Sequence, residues 1–264
     1  MDNLEERFYR FLEEKGYIDS GENVRYLRFY LQFFDSGARV LDVGCGRGEF
    51  LELLRDKGCQ ASGIDAEQGM VETCLKKGLH VEKGDALAYL AKEREAYDAI
   101  FAGNFVEHLT PSKTLDLLEK TYKALKSGGR LVVTTPNPES IVVHLHEFWR
   151  DGTHQRLYQR SLLEFMLSYV GFEMVASGVN EATEVPIAAL EKPPSPDGKR
   201  GLIFHLPAAR PGIKATIRRW IAGFVVRTFL FEEFWYLERA LQGLETAQRS
   251  LYAPREIYVV GRKP

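Results

Sequence analysis

The segment Asp42-Val43-Gly44-Cys45-Gly46-Arg47-Gly48 carries the residue types and spacing in this chain most suited to chemistry. Three glycines at alternate positions let the backbone turn sharply and leave a bound molecule no Cβ to strike. This alternation differs from the G-x-G-x-x-G of dinucleotide binders and the G-x-x-x-x-G-K-[ST] of phosphate loops. The acid in front points the same way, because a carboxylate repels phosphate and attracts a cationic ligand. The loop's amides and the following helix N-terminus are expected to face that ligand. Cys45 between the glycines is expected to be a small filler and Arg47 a surface residue over the pocket. No metal site is expected. Cys45, Cys59 and Cys74 lack ligand spacing, and His144 and His146 alternate around Leu145 with no further ligand spaced for zinc.

Such a loop works only between a strand and a helix, and the flanking residues supply both. Arg39–Val43 is short, apolar and β-branched, and Phe50, Leu51, Leu53 and Leu54 then take up helical spacing until Lys57-Gly58. The same unit recurs. Residues 60–65 are expected as a second strand, 79–81 as a third, 97–102 as a fourth and 130–136 as a fifth, with helices between. Thr110 is an N-cap followed by Pro111 at the first helical position, and that helix is expected to close at Ser127-Gly128-Gly129. Ser161–Val170 follows as a helix, 172–176 as a sixth strand and 255–261 as a late strand that could close the sheet. Ahead of all this, Leu4, Phe8, Phe11 and Leu12 form one helical stripe. Val24, Leu27, Leu31 and Phe34 form another, with Asn23 as its expected N-cap. Strands alternating with helices imply a parallel sheet covered on both faces, because parallel strands need crossover connections. The chain divides into N-terminal cap helices (1–36), a core (37–180), a helical insertion (181–254) and a last strand (255–264).

The 264 residues, 45% of them hydrophobic, suffice for a real core, and 27% charged residues exclude a low-complexity chain. A net charge of −2 with a pI near 6.3 argues against coating nucleic acid, which needs a clustered positive surface. The charged first residues and the lack of a long apolar run indicate a cytoplasmic protein with reduced cysteines.

Residues Asp42 to Gly48 resemble the first motif, D-x-G-x-G-x-G, of class I S-adenosylmethionine-dependent methyltransferases, and the similarity runs in register from about Arg39 to Gly178. Phe105-Val106-Glu107-His108-Leu109 resembles the family's E-H-L segment after strand four, and Leu125–Leu131 the turn before strand five. The resemblance implies a Rossmann-like, three-layer α/β fold with a seven-stranded, mostly parallel sheet whose last strand is antiparallel. It also implies S-adenosyl-L-methionine as cofactor. In the family the glycine loop packs against the methionine moiety, the acid ending strand two (here Asp65) holds the ribose, and an acid after strand three (here Asp85) receives the adenine amine. The cofactor contacts carried over are Asp42, Gly44, Cys45, Gly46, Gly48, Asp65, Ala66, Gly84, Asp85, Ala86, Asn104 and Phe105.

Methyl transfer from a sulfonium is an in-line displacement in which an alcohol acceptor must lose its proton. The candidate bases are His154, His108 and Glu107, with His144 and His146 on a later loop, and the role expected of His108 is to orient the helix start. The chain lacks both the N/D-P-P-Y/F-like segment of base amine methyltransferases and the aspartate of metal-dependent catechol-type members. Both absences favour metal-independent transfer to a hydroxyl or carbon of a small molecule or glycan. Residues Trp149–Tyr158 are similar to bacterial methyltransferases of polysaccharide or lipopolysaccharide assembly. Rival expectations are an aminopropyltransferase, for which Gly103-Asn104 offers no acid pair, and a cofactor-binding scaffold without turnover. The basic, aromatic stretch within 213–231 suits an anionic membrane at the inner face or a lipid-linked acceptor, or else a buried helix or homodimer contact.

Overall fold

A computed structural model describes residues 11, 20–184 and 253–264. The first helical stripe, apart from Phe11, and nearly all of the insertion, including 213–231, lie outside the described residues. Helix α1 (Ser20–Arg28) tightens into a 3-10 turn over Phe29–Phe33, so Asn23 lies inside the helix rather than capping it. The core then alternates β1 (Arg39–Val43), α2 (Glu49–Asp56), β2 (Gln60–Asp65), α3 (Gln68–Lys76), β3 (Val81–Lys83), α4 (Ala86–Leu90), β4 (Tyr97–Gly103), α5 (Pro111–Ala124) and β5 (Leu125–Pro136). It ends with α6 (Arg160–Val170), β6 (Glu173–Val179) and β7 (Glu256–Arg262).

The seven strands form one sheet in the order β3-β2-β1-β4-β5-β7-β6. β1 to β5 are mutually parallel, and β7 inserts antiparallel between β5 and β6. This is the expected sheet, with two local corrections. The third strand begins at Val81 rather than Leu79, at the sheet edge where β2 is its only partner strand among the described residues. Helix α5 ends at Ala124, not at the glycines. Leu125 already pairs with Tyr97, and the register then shifts so that Arg130 meets Ala99.

Strand side chains alternate faces, and the core follows that parity. Leu41, Val43, Ile100, Ala102, Leu131, Val133 and Val259 pack with Leu90, Leu117, Leu163 and Leu167 from α4, α5 and α6. Their neighbours Val40, Ala99, Phe101, Val132 and Val260 face the opposite way, against Tyr30, Phe34, Phe50 and Leu54. Two apolar layers on one sheet make the three-layer architecture, and they leave the C-terminal ends of β1, β2 and β4 to carry the loops of the site. Among the described residues no helix is long and apolar enough to cross a membrane.

Candidate active site

The glycine loop leaves β1 with Gly44, Gly46 and Gly48 at φ of 71°, 53° and 80°. Two of these positions show separate reasons for glycine. At Gly44 an added Cβ would lie 2.5 Å from Phe105 Cδ2, so a ring closes directly over the backbone. At Gly46 nothing lies within 4 Å of such a Cβ; the space there is open, as a cradle for a ligand must be. Gly44→Ala is expected to lower stability by roughly 2–5 kcal/mol, from left-handed strain of about 1–2 and overpacking of about 1–3. Chemical denaturation measures it, and a loss under about 1 kcal/mol would mean that the ring moves aside.

The loop amides do not point at a ligand as expected. Gly44 and Cys45 N–H both donate to Ile64 O (2.9 and 3.2 Å) and Gly48 N–H to Cys45 O (2.9 Å). Gly46 N–H donates to Asp65 Oδ2 at 2.8 Å. The loop therefore offers bare backbone surface, and its shape is held by the neighbouring strand. Cys74 adds a thiol bond to Gly46 O at 3.2 Å. Cys45 is buried, and its hydrogen bond to Cys74, then burial, raise its pKa, which suits a filler and not a nucleophile.

The three acids sit at successive strand ends in different states. Asp42 is 3% exposed, and burial with the charge of Asp65 holds its carboxyl well above the usual carboxylate range. Burial thus works against a charge on Asp42, the acid expected to attract a cation. Burial raises Asp65 as well, but N–H donors from Glu67 (Oδ1, 2.9 Å) and Gly46 favour its ionised form. Ala66 beside it is exposed. Asp85 is exposed and caps α4 through Oδ1, which accepts Ala88 N–H at 2.7 Å. Of its neighbours, Gly84 donates its N–H to Asp65 O at 2.9 Å, and Ala86 is buried. These residues fit a nucleoside carrying a positive charge: an open glycine cradle, an ionisable acid at its side and a second acid one strand further out.

The β4 end supplies the opposite wall. Asn104 takes a left-handed turn (φ 47°), Phe105 covers Gly44, and Val106–His108 forms a 3-10 turn. The structure brings the three base candidates together: one ligand-type atom from each of Glu107, His108 and His154 lies within 4.8 Å of the others. The imidazoles stand edge to face, 4.8 Å between centroids.

Hydrogen bonding defines the tautomers. Thr153 Oγ1 gives its single proton to Asp151 Oδ1 (2.7 Å), so at 2.8 Å from His108 Nδ1 it accepts from that ring. His154 Nδ1–H donates to Phe148 O at 2.8 Å. Each neutral ring thus carries its lone pair on Nε2. Burial and His154 hold the His108 pKa below the usual histidine range. Glu107 is fully buried; its Oε2 accepts from Thr135 Oγ1 at 3.0 Å and its Oε1 has no hydrogen-bond partner among the described residues. That burial pushes its pKa up to about 8, so it is protonated at neutral pH. His144 and His146 are exposed on a π-helical turn (Val143–Glu147) and do not join the cluster. Sequence spacing did not signal the Thr153–Asp151 support of His108, which spans 45 residues.

Residues 15–177 match the model of the methyltransferase domain family. The chain is 32% identical over 148 residues to a ubiquinone biosynthesis O-methyltransferase of Xylella fastidiosa (53% of this chain, 50% of that protein). It is 29% identical over 133 residues to phosphoethanolamine N-methyltransferase 2 of Caenorhabditis elegans (47% of this chain, 29% of that protein). The chain thus spans half or less of these two curated relatives. A crystal structure of a SAM-dependent methyltransferase from Archaeoglobus fulgidus superposes with a TM-score of 0.69 at 27% identity, covering 97% of this chain and all of that one. The chain belongs to the methyltransferase domain family, with the fold of the class I S-adenosylmethionine-dependent enzymes.

Proposed function

We propose that the chain methylates a hydroxyl oxygen of a small-molecule or glycan acceptor, with S-adenosyl-L-methionine as donor and no metal ion. The observation that carries this reading is a polarised imidazole, His108, on the same β4 end whose Phe105 covers the glycine loop. When bound, S-adenosyl-L-methionine supplies a methyl group on a sulfonium that a nucleophile displaces in line. Asp65 and the glycine loop bind and orient the nucleoside. His108 takes the acceptor's hydroxyl proton at Nε2, while Thr153 and Asp151 hold Nδ1–H and favour the charged ring that results. Glu107, protonated and buried, keeps a competing negative charge out of the site. The relative named as an O-methyltransferase supports the oxygen assignment.

A divalent cation is the second reading, favoured by the Glu107, His108 and His154 donor set. One experiment separates the two. Methyl transfer to a panel of hydroxylated acceptors is measured by mass spectrometry before and after exhaustive chelation. Turnover that survives chelation is expected; activity lost to chelation and restored by a divalent ion would install the second reading. Binding of S-adenosylhomocysteine without turnover on any acceptor would leave a scaffold.

A further inference from the structure

Glu256 opens β7, 152 residues beyond the strand end it touches, and is 7% exposed. Its carboxylate gathers four side-chain donors from four parts of the fold. Oε2 accepts from Asn104 Nδ2 at 3.0 Å and from Thr134 Oγ1 at 3.1 Å. Oε1 accepts from Asn180 Nδ2 at 3.0 Å and from the Tyr30 hydroxyl. Four donors match the roughly four lone-pair directions of a carboxylate, so the buried group's hydrogen bonding is satisfied; burial raises its pKa and the four donors oppose that rise.

The contact with Asn104 has a consequence at the site. A left-handed turn is strained for residues other than glycine, less so for asparagine, and its surroundings hold it. At Asn104 that hold comes from two sides: its N–H donates to Thr134 O at 3.1 Å, and its side-chain amide is tied to Glu256. The turn sends the next residue, Phe105, over Gly44, and places His108 four residues on.

We propose that Glu256 is a positioning residue for methyl transfer: by holding Asn104 in its left-handed turn it sets Phe105 over the glycine loop and fixes the start of the 3-10 turn that carries His108. The inference rests on the reading of this crevice as the S-adenosyl-L-methionine site.

The test uses the full chain and S-adenosylhomocysteine in calorimetry, with thermal unfolding followed in parallel. Glu256→Gln, which turns an amide N–H₂ toward groups that themselves donate, is expected to weaken binding about tenfold, the scale of one hydrogen bond to a charged group. Tyr30→Phe removes a donor on the Oε1 side only; it is expected to lower the unfolding midpoint and leave affinity unchanged. A purely structural role for Glu256 would move the midpoint in both variants and the affinity in neither, which overturns the proposal. In Asn104→Gly the turn needs no tether, so adding Glu256→Gln to it is expected to change affinity far less than in the parent; additive effects overturn the proposal. Should Glu256→Gln not fold, Asn104→Ala (tether lost, left-handed strain kept) against Asn104→Gly (tether lost, no strain) gives the decision: weaker binding in the first than in the second supports the tether, and equal binding refutes it. Failure of the parent chain to bind S-adenosylhomocysteine would instead remove the underlying reading.

Discussion

Asp65→Ala is expected to weaken S-adenosylhomocysteine binding by at least one to two orders of magnitude. The carboxylate accepts Gly46 N–H at 2.8 Å and Glu67 N–H at 2.9 Å, so it holds the open glycine of the loop and the start of the segment leading into α3. Removing it leaves both donors unpaired in a half-buried site, at about 1–3 kcal/mol each. It also removes the acid that the family resemblance assigns to the ribose hydroxyls. Asp65→Asn keeps an acceptor oxygen for one amide and turns N–H₂ toward the other, so an intermediate loss is expected. Isothermal calorimetry on the three proteins checks the series. An unchanged dissociation constant for Asp65→Ala would mean that neither the loop anchor nor the ribose contact matters.

His108→Ala is expected to lower kcat by about 10²–10⁴-fold, the usual contribution of a positioned proton acceptor. The affinity for S-adenosylhomocysteine should change little, because in the proposed mechanism His108 serves the acceptor and not the nucleoside. The pH dependence sharpens the assignment. A base held below the usual histidine range is already neutral at pH 7, so kcat should rise with pH on the acid side and flatten before neutrality. Glu107 works in the opposite sense. Its folded pKa of about 8 lies above the unfolded value, so the folded form binds the extra proton between them and stability falls as pH climbs through that window. Its ionisation near pH 8 also places a negative charge beside both imidazoles. Glu107→Gln, which mimics the protonated acid, should keep its activity at pH 7 and lose any rate change near pH 8. A kcat that is insensitive to His108→Ala, or one that collapses at pH 7 in Glu107→Gln, would reverse these two roles.

Much of the frame was legible because its signals are local. Thr110 does cap α5, with its hydroxyl accepting Lys113 N–H, since a cap is decided within four residues. The alternation of strands and helices from Arg39 to Pro136 survives with shifts of a few residues at β3 and at the end of α5. The errors have physical causes. β3 is an edge strand whose extent depends on its partner. Leu125 leaves α5 early because Tyr97 offers it a strand to pair with. The loop amides were expected to face a ligand, but Ile64 O and the Asp65 carboxylate take them instead.

By itself, the sequence determined the strand–glycine–helix unit, the acids at successive strand ends and the family of the fold. The first of these is written in spacings of two to four residues, the range over which backbone geometry repeats, and the other two in the resemblance that runs from about Arg39 to Gly178. Only the tertiary structure decided which groups act together. The ordering of His108 by Thr153, the closing of Gly44 by Phe105 and the binding of Asn104 by Glu256 join residues separated by 45, 61 and 152 positions. Across such distances the chain has no periodicity to read. Pairing there is set by which buried donor must meet which buried acceptor once the sheet has closed.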